Sequence, residues 1–125
     1  MKFATSLVAF AAISQGVSFI LTIDGYATYI DNNMLKSDDT DNHEVFDFNF
    51  YNSHLHYKND AACIKSSGLI GFGTKGCGTQ KATSFSKIFT YLNSDSGSDF
   101  AVCNNVVQVS GKGCGSPATK ITIAS

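Results

Sequence analysis

The sequence contains no arginine and no tryptophan, and it has only one proline and one glutamate. Without arginine, no mechanism that needs a bidentate guanidinium clamp on a phosphate or carboxylate is available. Without tryptophan, a lectin that stacks sugars on aromatic rings is disfavoured. With a single proline, the turns must depend on Gly, Asn and Asp. No Asn-X-Ser/Thr sequon occurs, so N-glycosylation is not expected.

Charge is sparse and of mixed sign. Charged residues make up 15% of the chain, and the formal net charge is −1. No basic stripe occurs, which argues against nucleic acid as a partner.

The first residues are typical of a secretory signal. Lys2 precedes an apolar run over residues 3–13, which is too short to span a bilayer. We therefore expect a signal peptide over residues 1–18, cleaved between Ser18 and Phe19, with Gly16–Val17 as the alternative site. Residues 19–125 then form a single secreted domain. No second long apolar run follows, so no membrane association is expected after cleavage.

Four cysteines follow the signal, at Cys63, Cys77, Cys103 and Cys114. An even count in a short secreted domain indicates two disulfides, for which three connectivities exist. We favour Cys63–Cys77 and Cys103–Cys114, because both close short local loops that each stabilise by about 3 kcal/mol. No cysteine then remains for an interchain disulfide or for thiol catalysis. No Cys-X-X-Cys motif occurs, so neither a redox site nor a zinc ribbon is indicated.

Hydrophobic residues alternate with a period of two along most of the chain, which predicts an all-β fold. Gly, Asn, Asp and Ser clusters separate seven or eight strand candidates, so we expect a small antiparallel barrel or sandwich. Residues 32–44 and 93–99 are interpreted as exposed acidic loops, and residues 84–92 as one strand. The strand candidates are residues 19–30 (in two halves around Gly25), 45–51, 53–58, 69–72, 84–92, 99–102, 106–109 and 120–124.

The clearest strand contains three alternating phenylalanines, Phe46, Phe48 and Phe50. They share one face, and three aromatic side chains are too much apolar area to leave in water. We therefore expect that face to be core, with Phe48→Ala costing roughly 3–5 kcal/mol. The outward positions are predicted to be Val45, Asp47, Asn49 and Tyr51.

Residues 71–76 match the G-x-G-x-x-G pattern of dinucleotide-binding loops. That site requires a strand before the loop and a helix after it, and the sequence predicts no helix here. We interpret the glycines as turn residues and expect no cofactor.

Two histidines, His54 and His56, lie on one face of a strand, and His43 precedes them in the acidic loop. Three imidazoles could bind zinc or copper. We favour an exposed polar strand face and no metal, because pairs of histidines two residues apart are common on exposed strands.

A small secreted ribonuclease would use a carboxylate base, a histidine acid and an arginine. Only Glu44 beside His43 could supply the first two, and the arginine is missing. The test is geometric: these two must converge with His54 or His56 in one cleft. We expect no catalytic residues.

The chain contains the phrase Lys-Gly-Cys-Gly twice, at residues 75–78 and 112–115. In each copy the cysteine is the second partner of a predicted disulfide, and a strand follows a few residues later. A paired ligand site would have only Lys75 and Lys112 to supply chemistry. We therefore interpret the repeat as a device that fixes the start of a strand.

This order of elements resembles the Alternaria major-allergen family, small secreted fungal β-barrel proteins. The resemblance runs from about Ile20 to Ile123. It consists of an early strand, a polar loop, an aromatic-rich strand, a local disulfide, a hairpin region like residues 84–92, a second disulfide and a last strand. The chain lacks the additional N-terminal cysteine that links two chains in some members, and it lacks the tryptophan that the aromatic-rich strand often includes in the family.

The resemblance implies a fungal effector, elicitor or allergen that acts at the plant surface or in the apoplast, in a family whose established role is not enzymatic. We expect a secreted, non-enzymatic protein that binds a host extracellular protein or a small molecule. The alternatives are a small secreted hydrolase such as a ribonuclease, and a metal-binding cell-wall protein. The sequence does not identify the partner, the species or the oligomeric state.

Overall fold

The computed structural model describes residues 18–49 and 52–124, which form an all-β protein with one short helix. The all-β class is confirmed, but the strand number exceeds the seven or eight predicted. The described strands are β1 (Ser18–Ile23), β2 (Tyr26–Asp31), β3 (Met34–Ser37), β4 (Phe46–Asn49), β5 (His54–Tyr57), β6 (Asp60–Ile64), β7 (Ile70–Phe72), β8 (Phe85–Ile88), β9 (Tyr91–Ser94), β10 (Phe100–Cys103), β11 (Val106–Val109) and β12 (Ile121–Ala124). The helix, α1, is Gly73–Cys77.

Seven strands close into an antiparallel barrel in the order β1-β2-β3-β7-β6-β5-β4 and back to β1. The pairing of Phe19 with Phe46 closes the cycle between β1 and β4. The other five strands extend the sheet outside the barrel. β12, β9 and β8 continue from β1, and β11 and β10 continue from β3. Because β8 and β10 end these extensions, they are edge strands.

Tight two-residue turns join five strand pairs. Asp24–Gly25, Asn32–Asn33 and Asn104–Asn105 have positive φ at both turn positions, which is the type I′ pattern that suits strand twist. These turns use the residue types expected of a chain with one proline. The other two turns, Lys58–Asn59 and Phe89–Thr90, have positive φ at the first position only.

The core fills the barrel with alternating side chains. Phe46 is fully buried, and its ring lies against Tyr57 and Phe72, with ring centroids 5.9 and 5.8 Å apart. Phe48 packs against this cluster but is only partly buried. The core prediction is therefore confirmed for Phe46 and Phe48, although Phe46 is the more deeply buried of the two. Outward-facing Val45 is 52% exposed, as expected.

Several predictions lie outside the described residues. Phe50 and Tyr51 are not among them, and neither are residues 1–17 of the predicted signal peptide. Among the residues that are described, no helix is long and apolar enough to cross a membrane.

Two interpretations of loops and strands were wrong. The predicted acidic loop over residues 32–44 contains β3, whose Leu35 is fully buried, because β3 pairs with β2, β7 and β11. The single strand that alternation predicts over residues 84–92 is a hairpin, β8–β9, whose turn is Phe89–Thr90; a hairpin at this position is what the family resemblance implies. No Gly, Asn or Asp marks that turn in the sequence.

Both disulfides have the local pairing that the spacing favours. Cys63 bonds Cys77 and Cys103 bonds Cys114, with Cα atoms 6.2 and 6.0 Å apart. A strand follows each one, β8 after Cys77 and β12 after Cys114. The two Lys-Gly-Cys-Gly copies nevertheless have different backbones. The first lies mostly in α1, whereas the second is an irregular loop with positive φ at Gly111 and Gly113. The repeated phrase is therefore not a repeated structural unit.

Candidate functional site

The outer face of β4 and β5 carries the two strand histidines. Asp47 lies opposite His56, and Asn49 lies opposite His54, with the imidazole centroids 6.0 Å apart. Leu55, between the histidines, is fully buried, so the predicted alternation on β5 is confirmed. Partial burial lowers the pKa of His56, and the neighbouring His54 charge lowers it further, while Asp47 opposes both effects. The His56 imidazole is therefore harder to protonate than an ordinary histidine.

Metal binding at this face would depend on two imidazoles. Zinc sites normally have at least three protein ligands. Across residues 18–49 and 52–124, no group of three or more His, Cys, Asp or Glu side chains is arranged to hold a metal.

The candidate acid–base pair lies in a different place. His43 and Glu44 line a shallow depression together with Tyr29 and Asp31. His56 lines a separate depression, with Asp47 and Lys58, that shares no lining residue with the first. The arrangement therefore does not assemble the ribonuclease-like cleft that the sequence alternative requires.

One hydrogen bond beside that depression has a clear electrostatic effect. Tyr29 Oη donates to Asp38 Oδ2 at 2.6 Å, which raises the pKa of Tyr29 to about 12. Bonds from Thr40 and Tyr29 lower the pKa of Asp38. The pair holds the segment after β3 against β2. This structural role accounts for both pKa shifts without a catalytic role.

Each glycine of the G-x-G-x-x-G match has a structural cause. A Cβ on Gly71 would lie 2.5 Å from the Gly76 carbonyl oxygen, and one on Gly76 would lie 2.7 Å from the Asn33 carbonyl oxygen. Gly73 has φ of 69°, and a Cβ there would lie 2.7 Å from the Asp60 carboxyl carbon. A helix does follow the strand, contrary to prediction, but α1 has only five residues. Close backbone packing explains Gly71 and Gly76, and the positive φ explains Gly73.

The β8–β9 hairpin presents an apolar tip that the sequence patterns did not reveal. Phe89 is 85% exposed, Ile88 49% and Tyr91 39%. Five large apolar side chains are exposed in the described residues, and these are three of them. The other two, Tyr26 and Val45, lie outside the β8–β9 hairpin. Together the three expose roughly 300 Å² of mainly apolar surface, comparable to the largest patch on a typical monomer. We call Ile88, Phe89 and Tyr91 the apolar tip.

The backbone of the apolar tip is also unusual. Phe89 has φ of 58°, a conformation that is uncommon for residues other than Gly, Asn and Asp and costs about 1–2 kcal/mol for a bulky side chain. The equivalent first turn positions of three other hairpins are Asp24, Asn32 and Asn104. Lys58 has the same backbone conformation in the β5–β6 turn, so Phe89 is one of two first turn positions without a turn-forming residue and the only one of the five with an aromatic side chain. The pattern of alternation gives no sign of a hairpin here, because the turn contains no Gly, Asn or Asp.

No protein-family model, no curated protein and no solved structure matches this chain. The function is therefore inferred from the fold and from the surfaces just described.

Proposed function

We propose that this protein is a secreted, non-enzymatic binding protein that engages an extracellular protein of a host through the apolar tip. Its role would be that of an effector, elicitor or allergen-like protein of the kind that the Alternaria family resemblance implies. Two disulfides in a domain of this size support an oxidising, extracellular setting. The closed barrel supports the role of a rigid scaffold that presents hairpins.

Phe89 is the single observation that carries the proposal. Its side chain is 85% exposed and contributes little to the core, while its positive φ costs stability. Neither feature helps the isolated fold. Both are explained if the ring is buried in a complex, because a desolvated aromatic anchor is a frequent centre of binding energy.

The shape and charge of the apolar tip define the partner's surface. A hairpin turn is convex, so the complementary surface is a concave apolar pocket that receives Phe89. Lys87 is the only charged residue between positions 84 and 94, and it is exposed. An acidic rim on the pocket would complement it. The chain's overall negative charge disfavours an anionic membrane surface as the alternative.

The other candidate functions have less support. A hydrolase would need His43 and Glu44 to meet His54 or His56. His43 and Glu44 line one depression, His56 lines a separate one, and His54 lines neither. A metal-binding wall protein would depend on His54 and His56 alone. Titration with zinc and copper, followed by thermal shift, tests that function independently.

The test compares two glycine variants in a capture experiment from plant apoplastic fluid. Phe89→Gly removes the aromatic ring, so it should fail to capture the host protein that the wild type enriches. It also relieves the strain of the positive φ, so its melting temperature should be unchanged or higher. Lys58→Gly relieves the same backbone conformation in the β5–β6 turn and serves as the matched control. It should retain binding. Equal capture by wild type and Phe89→Gly, or no protein enriched by the wild type, would overturn the proposal.

A further inference from the structure

A groove lies on the outer surface where β3 meets β11, on a different part of the molecule from the apolar tip. The pairing of Lys36 with Val106 places these two side chains on one face, together with Met34 and Gln108 two residues along each strand. The loop that contains Cys114 forms the opposite wall, and Leu69 completes the floor. The groove has a volume of about 570 Å³, within the range of small-molecule sites.

Gln108 is the first feature that points to a ligand. Its neighbours Val107 and Val109 face the core, so its own side chain lies on the outer face that lines the groove. The residue is 9% exposed, and no hydrogen bond joins its side-chain amide to another described residue; the amide atoms are nevertheless reached by solvent, since Thr28 Oγ1 is the only fully buried side-chain polar atom without a partner among the described residues. Its donors and its acceptor therefore lack protein partners and are left to water or to a ligand. A polar group bound in the groove would pair with them.

The charge of the groove is the second feature. Its lining includes two lysines and no acidic residue, in a chain whose net charge is −1. Lys36 is paired with Asp31 at 2.8 Å. Lys112 forms no ion pair with the described residues, and its stem lies against Gly68, where a Cβ would approach its Cγ to 2.8 Å. Lys112 is therefore an exposed cation that lines the groove and has no ion-pair partner among the described residues.

The glycines around Cys114 are the third feature. In the first Lys-Gly-Cys-Gly copy, Gly76 is required by backbone packing. In the second copy, a Cβ on Gly113 or Gly115 would meet nothing within 4 Å, and both residues line the groove. Gly113 is explained by its positive φ, but neither packing nor φ explains Gly115. Glycine at this wall leaves space for close approach of a ligand.

We propose that this groove binds an amphipathic organic anion of small-molecule size. The apolar body would lie on Met34, Leu69 and Val106, the anionic group would pair with Lys112, and a polar group of the ligand would bond the Gln108 amide. This activity is separate from the protein contact at the apolar tip. It also distinguishes the two copies of the repeated phrase, since Lys112 lines this groove and Lys75 does not.

The probe is 8-anilinonaphthalene-1-sulfonate, whose fluorescence reports binding, compared with N-phenyl-1-naphthylamine, which lacks the sulfonate. The wild-type protein should bind the sulfonate at one site and more tightly than the neutral probe. Lys112→Met keeps the stem over Gly68 and removes the charge. It should weaken sulfonate binding about fivefold or more and leave binding of the neutral probe unchanged.

Three further variants complete the design. Lys75→Met is the matched control from the first copy of the phrase and should bind like wild type. Gln108→Glu places a carboxylate in the groove and should bind the sulfonate more weakly than the wild type. The melting temperature of each variant is measured alongside. Phe89→Gly should bind the probe normally, which separates this site from the apolar tip. The inference is overturned if the wild type does not bind the sulfonate, if Lys112→Met binds it unchanged, or if Lys75→Met or Phe89→Gly weakens binding as much as Lys112→Met.

Discussion

Truncation of Phe46 should destabilise the protein more than any other single truncation to alanine within β4, Phe46–Asn49. Its ring is fully buried and contacts the rings of Tyr57 and Phe72. Removing a buried phenylalanine costs about 3–5 kcal/mol through lost transfer free energy and the cavity that remains. The aromatic contacts place Phe46→Ala toward the upper end of that range. Phe48 is only partly buried, so Phe48→Ala should cost about half as much.

The assay is urea unfolding of the oxidised protein, followed by circular dichroism, with thermal melts in parallel. A domain of this size has about 5–15 kcal/mol to lose, so Phe46→Ala should lower the melting temperature by about 12 °C or more. Asp47 lies between the two phenylalanines in the sequence and faces outward. Asp47→Ala therefore serves as the control, with an expected cost in unfolding free energy below about 1 kcal/mol. A cost for Phe46→Ala below 1 kcal/mol, or one no larger than that of Phe48→Ala, would refute the packing described here.

Three other changes test separate parts of the structure. Gly76→Ala should destabilise the protein by about 1–3 kcal/mol, because its Cβ would lie 2.7 Å from a backbone oxygen. Wild-type stability of this variant in urea would contradict the packing explanation of the glycine motif. Thr28 is fully buried, and its hydroxyl has no hydrogen-bond partner among the described residues, so Thr28→Val should stabilise by about 1 kcal/mol, and a lower melting temperature would argue for an unseen partner. The pKa of Tyr29 in the folded protein is about 12, above its ordinary 10.0, so the stabilisation from its contact with Asp38 is fully present below pH 10 and is lost as the pH rises toward 12. Ultraviolet titration should show this late ionisation disappear in Tyr29→Phe and move to lower pH in Asp38→Asn, and its persistence in Tyr29→Phe would assign it elsewhere.

The sequence predicts the parts of the fold that depend on local patterns. Alternation places Phe46, Phe48 and Leu55 inside, and cysteine spacing favours the two local disulfides. Strand β3 escapes this kind of inference because Met34–Ser37 contains one fully buried apolar side chain, Leu35, beside an Asp-rich segment. Its strand character comes from its pairing with β2, β7 and β11, which is not local in the sequence.

The candidate sites were harder to predict for related reasons. The β8–β9 turn contains Phe89–Thr90 rather than a turn-forming pair, so alternation continues through it and suggests one strand. Gly76 leaves no room for a Cβ because the carbonyl oxygen of Asn33 lies close to it, and Asn33 is more than forty positions earlier in the chain. Gln108 is an unremarkable polar residue of a strand until β3, Leu69 and the Cys114 loop surround it. Lys112 could be named from the repeated phrase, but only the tertiary structure separates it from Lys75.

Photo-crosslinking from the apolar tip tests the proposed function most directly. A benzoylphenylalanine at position 89 should crosslink to the host protein captured from apoplastic fluid, because the ring at this position is expected to enter the partner's pocket. The same group at position 45 is the control, since Val45 is 52% exposed and lies before β4, away from the β8–β9 hairpin. We expect a specific adduct from position 89 and none from position 45. An adduct from position 45 alone, or equal adducts from both, would contradict the assignment of binding to Phe89.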